Sequence, residues 1–194
     1  MGEPSRDVIA DRFLGALAVA CSQIGKHWFL VPVHSKATLP VYRERVYCYE
    51  LYHQLRTLTD DDATLGAPEY TVSGEIDKAG LHSVIEHGRH KPDLVWHKPG
   101  TGDNAVVVEV KMARGLSAAG IRKDLETLAA FVDAPHGRDY ARGVMLLFGP
   151  GNEGRLMNRI RLHAGRLTIK HPERISVLWH AKHDEAPRSL GSVV

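Results

Sequence analysis

Cysteine is scarce in this sequence, which has only Cys21 and Cys48. Two cysteines without a pairing pattern exclude a disulfide framework and do not support a closed structural zinc site. Twelve histidines are present, but the groups in "HSVIEHGRH" (residues 82–90) and "WHAKH" (residues 179–183) match no zinc pattern, so we interpret them as solvated. A reduced, cytoplasmic location is the simplest expectation.

Long apolar runs are also missing. No stretch reaches the roughly 18 residues that a membrane helix needs, and we expect no membrane association. The stretch "FLGALAVAC" (residues 13–21) follows Asp7 and Asp11, whereas a secretory signal begins with a basic flank. The pieces "GPGNEG" and "PGTGDN" lack the lysine of a phosphate-binding loop, and no Gly-x-Ser-x-Gly motif marks a nucleophilic serine. We therefore interpret both glycine-rich pieces as turns.

Positive and negative charges are also nearly balanced. The formal net charge is +2, which does not by itself indicate a nucleic-acid-binding protein. Residues 138–174, however, contain eight basic and three acidic residues. This basic C-terminal third is compatible with a surface that holds a polyanion, and equally with an ordinary solvated helix face.

What the sequence does have is the composition and patterning of one globular α/β domain. Hydrophobic residues make up 43% and charged residues 25% of the 194 residues, enough to bury a core. Ser5 and Asn152 are plausible helix N-caps, Gly25 a plausible helix end, and the tail after Asp184 is predicted to be loose. Periodicity predicts helices over residues 5–26, 41–58, 118–132 and 152–163, and strands over residues 69–78, 93–97, 105–112, 142–149 and 174–181.

Charged residues interrupt two of the predicted strands. In "AVVVEVKM" (residues 105–112) Glu109 and Lys111 share one face, because side chains on a strand alternate. The other face, with Val106, Val108, Val110 and Met112, is predicted to face the core. Asp93 begins the preceding strand. If the two strands are neighbours, both carboxylates meet across the ladder with the ammonium beside them. Two carboxylates that close repel unless a cation joins them, and Mg²⁺ (or Mn²⁺) prefers such oxygen ligands.

The spacing of "PD" at residues 92–93 and "EVK" at residues 109–111 resembles the motif of the PD-(D/E)XK nuclease superfamily. The resemblance implies a restriction-endonuclease-like core of helix, three strands, helix and strand around a mixed central sheet. It covers about residues 41–149 of a single domain. Residues 1–40 would form a helical N-terminal extension, and residues 150–194 a basic helix-strand extension.

The resemblance also implies the roles of the site residues. Asp93 and Glu109 would bind the metal together with the main-chain carbonyl of Val110, and Lys111 would complete the site. A further acid from the helix before the sheet is common in the family. Glu44 and Glu50 are six residues apart and lie on different helix faces, so both cannot reach one site. We favour Glu50, which lies closer to the middle of the predicted helix.

Other residues are open to two interpretations. Glu75 and Asp77 share a strand face and form a second candidate acid pair, or belong to a surface hairpin. On the helix over residues 118–132, Arg122 is interpreted as a surface base, while Lys123 contacts either phosphate or a neighbouring acid. Of Tyr47, Tyr49 and Tyr52, two are predicted to pack, with base stacking as the alternative. The candidate nucleic-acid contacts are Lys123, Arg155 and Arg159.

These observations lead to one main hypothesis of function. The protein is expected to be an Mg²⁺-dependent endonuclease-like hydrolase of DNA, with Lys111 orienting the attacking water and RNA as a less favoured substrate. Antiviral restriction-type defence and repair are both compatible with it, and a homodimer or partner subunits are expected. The alternative hypothesis is a catalytically inactive protein of the same fold, which binds nucleic acid or serves as a scaffold in a larger complex.

Overall fold

A computed structural model describes residues 4–33, 39–60, 67, 69–74 and 90–194. The helices in these residues are α1 (Arg6–Ser22), α2 (Lys26–Phe29), α3 (Glu44–Thr59), α4 (Ala118–Val132) and α5 (Glu153–Ala164), with a 3₁₀ turn at Pro172–Arg174. The strands are β1 (Thr71–Gly74), β2 (Leu94–His97), β3 (Asn104–Met112), β4 (Tyr140–Phe148), β5 (Ile175–His180) and β6 (Arg188–Ser192).

The strands form one six-stranded mixed sheet in the order β1-β2-β3-β4-β5-β6. The pairs β1–β2, β2–β3 and β5–β6 are antiparallel, whereas β3–β4 and β4–β5 are parallel. Helices α4 and α5 make the two crossovers between the parallel strands, as such connections require. The predicted α/β class with a mixed sheet is therefore confirmed.

The sheet carries a hydrophobic core on each face. Val106, Val108 and Val110 of β3 pack in the core that includes α1 and α3, while Val107 packs in the core that includes α4 and α5. The first seven residues of β3 are all buried, because helices cover both faces of this central strand. A charged side chain on β3 is therefore held in the interior rather than at a solvated edge.

Helix caps explain several of the observed boundaries. The side chains of Ser5 and Asn152 accept hydrogen bonds from main-chain amides of the first turns of α1 and α5, as predicted. Ser117 does the same for α4, whose bounds agree with the predicted helix. Gly25 does not end the first helix, which stops at Ser22; it is the N-cap of the short α2 instead.

Two predicted segments are corrected. The tail after Asp184 is not loose, because Arg188–Ser192 forms β6 and pairs with β5. This strand has five residues, is largely exposed and has Leu190 as its one large apolar side chain, so no apolar alternation indicated it. Helix α3 begins at Glu44 rather than at residue 41, because Val41 pairs with Val31 in an isolated bridge. Across the described ranges, no helix combines the length and apolarity needed to cross a bilayer.

Candidate active site

Asp93 is fixed beside Glu109 by the pairing of β2 with β3. The strands are antiparallel neighbours, as the sequence interpretation required, and their last pair is Leu94 with Val108. One residue further along this register places Asp93 opposite Glu109. The carboxylate of Asp93 accepts a hydrogen bond from the main-chain amide of Val110 at 2.7 Å. This bond holds the first predicted acid against the strand that carries the second.

Lys111 joins acids from two helices. Its Nζ lies 3.0 Å from Oε1 of Glu44, the first residue of α3, and 3.6 Å from Oδ2 of Asp124 on α4. Glu109 lies two residues earlier on the same strand face and is only 5% exposed. The end of β3 therefore brings together an ammonium and acids from α3, α4 and the sheet.

Asp124 is a site residue that the sequence interpretation missed. It is 1% exposed, and within the described residues its Oδ2 accepts no hydrogen bond. Burial raises the pKa of Asp124 to about 6, although the nearby Lys111 ammonium works in the opposite direction. A buried carboxylate oxygen without a hydrogen bond is costly, and it marks a place where positive charge is stabilising.

The carboxylates outnumber the cations of the site. Burial, followed by repulsion from Asp93 and Asp124, raises the pKa of Glu109 to about 9. Burial also raises the pKa of Asp93, against the hydrogen bond from the strand. Burial disfavours the charged form of Lys111, but the carboxylates of Asp124 and Glu44 outweigh this and raise its pKa. Lys111 therefore stays protonated while negative charge around it remains incompletely balanced.

The structure places Glu44, and not the favoured Glu50, beside Lys111. Glu44 contacts Lys111, whereas Glu50 accepts a hydrogen bond from Gln54 at 2.7 Å on its own helix. The two acids are about 120° apart around the helix axis. The buried residues Tyr47, Leu51, Leu55 and Thr59 set the rotation of α3 on the sheet, and this rotation turns Glu44, not Glu50, toward β3.

Of the predicted nucleic-acid contacts, Lys123 acts on the charges of the site. Lys123 is exposed on α4, and its charge lowers the pKa of both Glu109 and Asp124. Arg155 and Arg159 are exposed on α5. The loop before α5 is packed against the end of β3, because a Cβ atom at Gly151 would lie 3.5 Å from the Ala113 Cβ. The start of α5 therefore lies near the end of β3.

Several other predicted residues are not part of this cluster. Arg122 is exposed on α4, as interpreted, while Glu75 and Asp77 lie outside the described residues.

Two histidines interpreted as solvated are in fact packed. His90 is partly buried, with Nδ1 3.1 Å from Oγ1 of Thr127. His180 is fully buried, and its Nδ1 lies 2.8 Å from the hydroxyl of Tyr47.

Cys48 borders the acids but is not a nucleophile. It lies on α3, one turn after Glu44, and lines a cleft together with Asp93. Burial, reinforced by the charges of Asp93 and Glu44, raises the pKa of the Cys48 thiol. Since the thiolate is the reactive form, a raised pKa makes the thiol inert at neutral pH. The chemistry of the site therefore rests on its carboxylates and on Lys111.

Comparisons with known proteins identify no family for this chain. No family model, no curated protein and no solved structure matches the chain. What the site does must therefore be argued from the side chains that the fold brings together.

Proposed function

We propose that the protein hydrolyses phosphodiester bonds of DNA with the help of a divalent cation, Mg²⁺ or Mn²⁺, held by Asp93 and Glu109. The observation that carries the proposal is the excess of buried and half-buried carboxylates at the end of β3. Glu44, Asp93, Glu109 and Asp124 all act electrostatically on the single ammonium of Lys111 or on one another. Folding against such repulsion is costly, and a bound cation relieves it.

The donor set fits Mg²⁺ better than it fits zinc. Within the described residues, no group of three His, Cys, Asp or Glu side chains is placed to hold a metal ion. Mg²⁺ does not require such a group, because it commonly takes one or two carboxylates and completes its shell with water and substrate phosphate oxygens. Asp93 and Glu109 supply the two carboxylates, and we include the carbonyl of Val110 as a third oxygen from the chain.

Lys111 has an electrostatic role in this proposal. The raised pKa of Lys111 keeps its side chain protonated at neutral pH, so it donates hydrogen bonds and does not accept a proton. Glu44 and Asp124 fix the position of Nζ, from which it can orient water and stabilise negative charge on a phosphate. When bound, the cation supplies Lewis-acid polarisation of the phosphate and activation of water. Lys123, Arg155 and Arg159 would contact the backbone on either side.

The element order supports a restriction-endonuclease-like core. The series α3, β1, β2, β3, α4, β4 follows the expected order of helix, three strands, helix and strand. Helices α1 and α2 precede it, and α5, β5 and β6 follow it as the proposed extensions. Asp93 and Glu109 lie where the pairing of β2 with β3 ends, and the motif residues of such a core are expected to meet there. We include in the proposal a role in restriction or repair, and action as a homodimer or in a larger complex.

Metal dependence is the direct test. Purified wild-type protein is expected to cut plasmid or single-stranded DNA with Mg²⁺ or Mn²⁺ and not with EDTA. Either ion should raise the midpoint of thermal unfolding at pH 8, because it offsets carboxylate repulsion. Asp93→Ala should lose both effects, whereas Asp103→Ala, an exposed acid on another loop, should keep them. If no DNA is cut and neither ion stabilises the protein, the catalytic proposal fails in favour of an inactive scaffold.

A matched pair of variants on α3 tests Glu44 as the additional acid of the site. Glu44→Gln is expected to slow DNA cleavage roughly 10- to 100-fold, because Lys111 loses the partner that holds it and small displacements of a catalytic group are costly. Glu50→Gln, the same substitution on the other flank of α3, should cut within about twofold of wild type, since its side chain contacts Gln54. Single-turnover rates at saturating Mg²⁺ give the comparison. A greater loss in Glu50→Gln would contradict the placement.

A further inference from the structure

A cleft opens beside the candidate active site. Its volume is about 490 Å³, and it is bounded by α3, by Gly74 at the end of β1, and by Asp93 and Leu94. Clefts of roughly 300–1,000 Å³ are typical of sites for small ligands. Asp93 belongs both to the cleft and to the acid cluster, so anything that fills the cleft lies next to the reacting phosphate of the proposed function.

One wall of the cleft is aromatic. Tyr49 and Tyr52 both line it, and their spacing of three residues makes them neighbours on the surface of α3. Tyr49 is 63% exposed, an unusual degree for a large ring beside a concave surface. Leu94 and Cys48 add apolar surface. Flat ligands with a π face are the class that such a wall accommodates.

Gly74 lines the cleft without adding a side chain to it. A Cβ atom added there would lie 3.5 Å from the main-chain oxygen of Asp93, 3.7 Å from Leu94 and 3.8 Å from Tyr52. These are ordinary contact distances, so a methyl group fits without displacing its neighbours. A larger, branched side chain would extend into the cleft. The open space therefore depends on the residue at this position.

We propose that the cleft holds an unstacked base of single-stranded DNA, directly beside the phosphate that is cut. The inference rests on the proposed function and names its substrate class. The carboxylates of Glu44 and Asp93 line the cleft together with one guanidinium, that of Arg45. Because the acids outnumber the base, a neutral, flat group is favoured there over phosphate. Bases in a duplex are paired and stacked, and each would have to leave the helix against the free energy of pairing and stacking. A single strand presents its bases without that cost.

Substitutions at Tyr49 test the stacking. Binding of a fluorescein-labelled single strand and of the matching blunt duplex is measured by anisotropy, with Ca²⁺ in place of Mg²⁺. Wild-type protein is expected to bind the single strand more tightly. Tyr49→Ala should weaken single-strand binding roughly 10-fold, since base–aromatic stacking is lost, and leave duplex binding unchanged. Tyr49→Phe keeps the ring and should bind like wild type. Equal losses on both DNAs, or none, would overturn the inference.

Filling the cleft gives an independent test. Gly74→Val should weaken single-strand binding at least as much as Tyr49→Ala, because its branched side chain occupies the space of the base. Gly74→Ala is the matched control and should bind normally. Thermal unfolding checks that both variants fold. If Gly74→Val folds and binds the single strand like wild type, the base does not enter the cleft.

Cleavage assays separate this inference from the proposed function. If wild-type protein cuts single-stranded and duplex DNA and the Tyr49 and Gly74 variants cut both equally well, the cleft inference fails while the nuclease proposal stands. If nothing is cut but the single strand still binds through Tyr49 and the cleft, the nuclease proposal fails while the binding site stands. Loss of single-strand cleavage alone in Tyr49→Ala and Gly74→Val supports both.

Discussion

Glu109→Gln is expected to stabilise the metal-free protein and at the same time to reduce DNA cleavage by roughly 10³-fold. Glutamine has the shape of glutamate without its charge, so it removes the cost of burying a charge there and, in addition, the repulsion from Asp93 and Asp124. The loss of activity follows because the amide replaces one of the two proposed carboxylate ligands. Increased stability with decreased activity is the pattern of a residue retained for function.

The sign of the stability change follows from the raised pKa of Glu109. This pKa is about 9 in the folded protein and near 4.5 in the unfolded chain. Below about pH 4.5 the group is protonated in both states and costs nothing. As the pH rises from 4.5 toward 9, the unfolded chain releases its proton more readily, so stability is progressively lost. At pH 8, Glu109→Gln should therefore raise the free energy of unfolding by on the order of 2–4 kcal/mol.

Urea unfolding in EDTA at pH 5 and at pH 8 measures this effect. The gain from Glu109→Gln should be large at pH 8 and small at pH 5. Glu126→Gln is the matched control, because Glu126 is an exposed acid on α4, and it should change stability by no more than about 0.5 kcal/mol. Added Mg²⁺ should stabilise the wild type more than Glu109→Gln. A glutamine variant no more stable than wild type at pH 8 would show that Glu109 is not held against repulsion.

Much of the fold could be predicted from patterns that involve only residues close together in the sequence. The bounds of α4 and the cap at Asn152 were predicted because helix periodicity and capping involve residues only a few positions apart. The valine run predicted a central strand, and the alternation of side chains predicted that Glu109 and Lys111 share a face. The adjacency of β2 and β3 also follows from sequence order, since consecutive strands often pair.

The acid on α3 could not be chosen from local signals. The rotation of this helix depends on Tyr47, whose ring stacks on Phe148 at a centroid distance of 4.1 Å and whose hydroxyl bonds to His180. Both partners come from strands about a hundred or more residues further along the chain. The sequence alone therefore restricted the choice to Glu44 or Glu50, and long-range packing decided which of them meets Lys111.

Asp124, by contrast, could have been recognised from its position in the sequence. It lies three residues after Ile121 and four before Leu128, on the apolar stripe of α4 rather than on its charged face. The interpretation of "IRKDLETL" considered only Arg122 and Lys123 and assigned no role to Asp124. An acid within an apolar stripe is informative because burial of an unpaired carboxylate is costly. Such a position is best interpreted together with charged residues on the strand that the helix covers.

Lys111→Met is expected to destabilise the protein at pH 8 by about 3–5 kcal/mol, because removing one partner leaves buried acids unbalanced. Lys111 contacts Asp124, which is 1% exposed, and Glu44. Methionine has a similar length and no charge, so the loss reports the ammonium rather than packing. DNA cleavage should also fall by roughly 10²- to 10³-fold at saturating Mg²⁺, because the charge that stabilises the reacting phosphate is gone.

The pH dependence of this loss identifies its cause. The pKa of Asp124 is about 6 with Lys111 beside it, and losing the ammonium raises this pKa further. At pH 5 Asp124 is therefore protonated and Lys111→Met costs less than at pH 8. The double variant Lys111→Met, Asp124→Asn should recover stability at pH 8, since both charges are absent. Arg122→Met, which removes an exposed charge from α4, should cost at most about 0.5 kcal/mol. An equal loss at both pH values, or no recovery in the double variant, would mean that Lys111 acts through packing and not as the counter-charge of the acids.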